Sequence, residues 1–175
     1  MKTECNDTFQ QLLTEYNLPA DLLFYVDIPA EVQNILNDSI LITDLGITLK
    51  SFGRLYKATE SWEDQSVIED NENHFHVDNY VDPPDNKKAF MLGVKTLVLL
   101  AEKFQKEKIN GIRFTFSFQT PELGRQWAKE NNLDEDAGDH FISDRLSFFT
   151  RRNGEQIDMI KKGEKRFWAL LTIDV

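Results

Sequence analysis

The pattern with the most direct chemical reading in this chain is His74-Phe75-His76. On a strand, residues two apart share a face, which puts the two imidazoles about 7 Å apart on one side. With Asp78 on that face, or His140 brought in from elsewhere, they would form a divalent-metal site. Catalysis there would also need an open coordination position and supporting hydrogen bonds. Two partly exposed imidazoles in a polar stretch give the same pattern, so His74 and His76 are weak metal candidates and no cofactor is expected.

A second feature is a concentration of charge. Between Glu60 and Asp85 stand nine acidic residues and no Lys or Arg: Glu60, Glu63, Asp64, Glu69, Asp70, Glu72, Asp78, Asp82 and Asp85. Removing these nine from the 30 acidic residues of the chain leaves 21, against 20 basic ones, so this stretch holds nearly all of the net charge of -10. Such a field attracts cations or a basic protein surface and repels nucleic acid. A solvated loop that keeps the protein soluble has the same composition. Trp62, Phe75 and Tyr80 lie among the carboxylates, and an aromatic anchor in a charged surround is a common interface design.

Other constellations fail their templates. Asp134-Glu135-Asp136-Ala137-Gly138-Asp139 resembles a calcium loop in composition, but position 5 is Gly138 and position 12 is Arg145. The chain contains neither a G-x-S-x-G nucleophile motif nor a phosphate-binding glycine loop. Cys5, the one cysteine, precedes the first expected helix. It rules out an internal disulfide, and its place near a terminus suits fraying better than catalysis. Arg113, Thr115 and Ser117 alternate on one strand face, as a pocket wall or a solvated sheet face would. The basic residues Arg151, Arg152, Lys161, Lys162, Lys165 and Arg166 are interleaved with Glu155, Asp158 and Glu164, which reads as a solvated rim.

The elements that must position these residues follow from periodicity and punctuation. A helix is expected from about Thr8 to Tyr16, capped by Asp7 or Asn6 and stopped by Pro19. A second is expected from Pro29 to Leu36. Two strands follow, Ile40 to Leu49 and Phe52 to Ala58. The acidic stretch reads as a mostly exposed connection with one strand around His74 to Tyr80, closed by Asp82-Pro83-Pro84-Asp85. Asn86 to Lys108 carries a broad apolar stripe through Phe90, Val94, Leu97, Ala101 and Phe104, predicting a long helix packed on a sheet. Ile112 to Phe118 alternates as a strand, and Thr120-Pro121 opens another helix. From Phe141 onward a meander is expected, with a hairpin at Asn153-Gly154 and a central strand over Arg166 to Val175. The class is α+β: a single domain over residues 1–175 with a mainly antiparallel, possibly mixed, sheet, helices packed on it, and a C-terminal β-meander.

The N-terminal residues show no secretory h-region, and the most apolar stretch, Ala89 to Ala101, is broken by Lys95. A cytoplasmic protein without nucleic-acid or membrane partners is expected. In size, acidity and lack of catalytic motif the whole chain resembles bacterial immunity proteins that neutralise nuclease toxins, including those of contact-dependent inhibition. The resemblance implies a non-enzymatic inhibitor that binds a cognate basic toxin, a nuclease domain, and blocks its active site or substrate groove. The partner-binding residues expected on that basis are Glu60, Trp62, Glu63, Asp64, Glu69, Asp70, Glu72, Phe75, Asp78 and Tyr80. The alternatives are a small metal-dependent enzyme using His74 and His76, and an accessory protein with a non-nuclease partner.

Overall fold

A computed structural model of the chain describes residues 1–18, 26–53, 55, 64–134, 144–152 and 167–175. The five-stranded main sheet has the order β1 (Lys2–Cys5), β7 (Ala169–Asp174), β5 (Ile112–Phe118), β6 (Arg145–Thr150), β4 (His74–His76), and every pairing is antiparallel. A separate two-stranded ribbon joins β2 (Ile40–Thr43) to β3 (Gly46–Leu49). The helices are α1 (Asp7–Glu15), α2 (Ala30–Asn37), α3 (Gln65–Glu72), α4 (Asn86–Lys106) and α5 (Pro121–Glu130). The fold is α+β, as the alternation of patterns predicts.

The helix signals act as their chemistry requires. The Asn6 side chain accepts from the Phe9 amide, Asp85 from Lys88 and Thr120 from Leu123, each satisfying an amide that the helix leaves unpaired. The stripe of α4 packs on the Phe-rich face of β5 and β6. Phe104 meets Phe114 at 5.0 Å and Phe148 at 5.3 Å between ring centroids, with all three rings fully buried. These edge-on contacts add to the area each ring removes from water.

Gly93 lets α4 approach this closely. A Cβ there would lie 2.2 Å from the Phe116 ring, which is itself fully buried and has no room to retreat. Alanine gains roughly 1 kcal/mol of helix propensity over glycine, but overpacking a rigid core costs about 1–3 kcal/mol. Gly93→Ala is therefore expected to lower the midpoint of urea unfolding despite the better helix former.

Four expectations change. The N-terminus is not frayed: β1 pairs with β7, and Asn6 ties α1 to β7 by accepting from the Leu170 amide (3.0 Å) and donating to the Trp168 carbonyl (2.8 Å). The expected strand Ile40 to Leu49 is a hairpin turning at Asp44-Leu45. Phe52, the expected start of the next strand, lies in a short 3-10 turn (Lys50–Phe52), and most of the rest of that strand lies outside the described residues. The acidic stretch, expected as an exposed connection, contains α3 and places β4 at the sheet edge. As expected, β7 is an interior strand; β6 and β7 flank β5 on opposite sides. The Asn153-Gly154 hairpin lies outside the described residues.

Candidate functional site

The acidic stretch divides into an inward part and an outward part, and α3 holds the inward part. β4 pairs with β6 only over Arg145–Ser147, which leaves the edge of β6 open from Phe148 onward. Groups from α3 and from Asn73, the residue that caps its C-terminus, close that edge. The Asn73 carbonyl accepts from the Phe148 amide (3.3 Å), Glu69 from the Thr150 amide (2.9 Å), and the Ser66 hydroxyl donates to the Thr150 carbonyl (2.7 Å). The same side chains reach β3: Glu69 accepts from the Ile47 amide (3.3 Å) and Asn73 donates to the Ile47 carbonyl (2.7 Å). α3 is thus a polar bridge between two sheet edges.

Its charges are matched internally. Glu69 is fully buried and paired with Arg152. Asp70 is buried, paired with Arg145 at 2.6 Å, and accepts from Ser147 at 2.5 Å. Ser147 in turn contacts Thr115 at 2.7 Å. Buried carboxylates with full sets of donors are structural elements whose loss leaves uncompensated partners. Glu69 and Asp70 are therefore removed from the expected partner surface, and so is Phe75, which is core and packs edge-on against Tyr80.

The remaining expected site residues are scattered. Glu60, Trp62 and Glu63 lie outside the described residues. Asp64 is exposed just before α3, and Glu72 is half-exposed at its end. Asp78 is exposed and Tyr80 half-buried, both in a 3-10 turn (Asp78–Tyr80) after β4.

The histidines do share one strand, with rings 5.6 Å apart and perpendicular. Each Nδ1 already has a partner: the Asn71 carbonyl for His74, and Asp144 at 2.8 Å for His76. His140 lies outside the described residues. Among the described residues no group of three or more His, Cys, Asp or Glu side chains is placed to hold a metal ion.

Asp144, which sequence reasoning missed, organises this edge. It is buried and accepts from the Asp78 amide at 2.5 Å, while its own carbonyl accepts from the Val77 amide at 3.2 Å. Asp78 also shares a side-chain hydrogen bond with it. Partial removal from water, then that bond, then the Asp144 charge push the Asp78 carboxyl up to about 6, against smaller opposing effects of the Asn79 amide and His76.

Because the folded-state value is raised, the favourable contribution of Asp78 is complete below pH about 4, its unfolded value, and is lost as pH rises through about 6. Asp78→Asn is expected to raise the melting temperature at pH 7 and to flatten its pH dependence between 4 and 6. Thermal scans across that window check it; an Asn variant less stable than wild type at pH 7 contradicts the shared-proton arrangement.

The polar face of β5 is neither a pocket wall nor a solvated face. Arg113 grips Asp174 through two bonds of 2.7 and 2.9 Å, and Thr115 is buried against Ser147. Burial works to raise the Asp174 carboxyl, but the Arg113 bonds and charge, with Arg151 behind them, hold it below its ordinary value. Arg151 and Arg152, read from sequence as a solvated rim, are bound to Asp174 and Glu69.

The outward part of the acidic stretch borders a cleft of about 510 Å³ at the start of α4. Among the described residues its apolar lining is Val26, Ile28, Pro29, Val81, Met91 and Leu92; Tyr80 stands in its wall, and Asp27, Asp82, Asp85, Lys87 and Lys88 border it. Lys95 reaches from α4 to the Val26 carbonyl at 2.6 Å and fixes the segment carrying Asp27. The turn carrying Tyr80 is fixed by Asp144. Asp85 is occupied as the cap of α4, whereas Asp27 and Asp82 are exposed and have no hydrogen-bond or ion-pair partner among the described residues. Of these residues the sequence points to Tyr80 as an anchor; Asp82 and Asp85 count there only toward the acidic stretch, and Asp27 lies too far upstream to be linked with them.

Compared with protein-family models, curated proteins and solved structures, the chain matches none.

Proposed function

We propose that this chain is a binding protein for a basic protein surface, with the nuclease toxin of an immunity pair as the partner class it fits. The observation that carries the reading is the cleft at the start of α4, where an apolar floor, a half-buried tyrosine and two unengaged aspartates meet. Apolar centre, aromatic wall and charged rim are the components of a protein-binding hot spot. The chain's net charge of -10 supports the sign of the partner. A nuclease surface is basic because it must hold phosphates, so a carboxylate-bearing inhibitor both accelerates encounter and competes with the substrate. The single cysteine suits an encounter in the reducing cytoplasm. Among the described residues, no helix is long and apolar enough to cross a membrane.

The reading is tested by co-expression with the product of the adjacent gene. The expected result is a neighbour that kills cells alone, is harmless with this chain, and co-elutes with it on size exclusion. The association rate should fall roughly tenfold or more when salt is raised from about 0.05 to about 0.5 M, because long-range attraction is screened. A harmless neighbour that forms no complex contradicts the reading.

A further inference from the structure

We infer that the α4 cleft is the seat of one arginine side chain, and that the basic partner presents it; this deepens the binding reading above and rests on it. Among the described residues, three aspartates and two lysines border the cleft, a net of one negative charge. That balance matches a single cation and disfavours a run of them, because a second positive group would meet Lys87 and Lys88. The walls select among cations. Val26, Val81, Met91 and Leu92 are all buried and offer an apolar surface for an aliphatic stem. Tyr80 supplies a ring on which a planar, weakly hydrated guanidinium stacks better than a compact ammonium. Asp27 and Asp82 supply free carboxylates for its forked donors. Asp85 is excluded from that role, since it already accepts from the Lys88 amide at 2.9 Å.

The volume also suits a small organic ligand, so the probe must separate charge from shape. The probe is an acetylated, amidated Gly-Arg-Gly peptide, compared with its citrulline counterpart, which keeps the shape and loses the charge. Both are titrated into the full ¹⁵N-labelled chain. The expected result is saturable shifts at the amides of Val26, Ile28, Tyr80, Val81 and Leu92 with the arginine peptide, and binding at least about tenfold weaker with citrulline. Asp27→Asn combined with Asp82→Asn should weaken the arginine peptide at least about tenfold without lowering the melting temperature, since both residues are exposed. Absence of saturable shifts, equal binding of the citrulline peptide, or an unaffected double variant overturns the inference. The co-expression test is independent: a complex with a peptide-blind cleft removes this inference and leaves the binding reading. Peptide binding without any toxin complex keeps the cleft's chemistry and removes the toxin.

Discussion

Glu69→Ala is expected to lower folding stability by about 3–5 kcal/mol, the range for deleting one member of a buried ion pair. The deletion strands several groups at once. The Ile47 and Thr150 amides lose their acceptor, as does the Thr150 hydroxyl at 2.7 Å. The buried Ile47 amide alone costs about 1–3 kcal/mol when orphaned, and the part-buried Thr150 groups cost less. Arg152 contributes less, because its side chain is 29% exposed and can turn to water. Glu72→Ala, on the half-exposed end of the same helix, should stay within about 0.5 kcal/mol of wild type. Urea unfolding of the two variants checks the contrast. A Glu69→Ala variant as stable as wild type would show that α3 is not the bridge between the sheet edges.

That contrast gives the charge concentration its physical meaning. Glu69 and Asp70 look like part of a charged surface because sequence shows only one member of each of their ion pairs. Arg145 and Arg152 lie some eighty positions away, beyond residues whose pairing no local pattern reveals. The periodic elements were legible: the stripe of α4, the alternation of β5 and the caps at Asn6, Asp85 and Thr120 each depend on neighbours a few residues apart. α3 was not, since Gln65–Glu72 presents one deeply buried apolar side chain, Ile68, and its other buried contacts are polar. A helix docked by hydrogen bonds leaves no hydrophobic stripe to read. β1 was missed for a related reason. Lys2–Cys5 is polar and half-exposed, and becomes a strand because β7 offers it a free edge.

The cleft was partly legible. Tyr80 and the aspartates before and after it stood out as an aromatic among carboxylates, but Phe75 matched the same description and is core. Both lie in the same polar stretch; what separates them is that β4 turns Phe75 inward, whereas Tyr80 sits in the turn that follows.

The other large effect is expected at Gly46, the residue that closes the β2–β3 hairpin against α3. Its φ of +142° is one that side-chain-bearing residues rarely adopt, and a Cβ there would lie 2.3 Å from the Glu69 carboxyl carbon. Backbone strain alone costs about 1–3 kcal/mol. The clash adds to it, because Glu69 is held by Arg152, Thr150 and the Ile47 amide and has nowhere to withdraw. Gly46→Ala should therefore lose about 3 kcal/mol or more in equilibrium unfolding. Combining it with Glu69→Ala separates the two causes. Removing the carboxylate relieves the clash and leaves the strain, so the double variant should be at least about 1 kcal/mol more stable than the two single losses added together. Additivity within about 0.5 kcal/mol would mean that the turn and the buried carboxylate act independently, and that the ribbon is held to the main sheet by something other than Glu69.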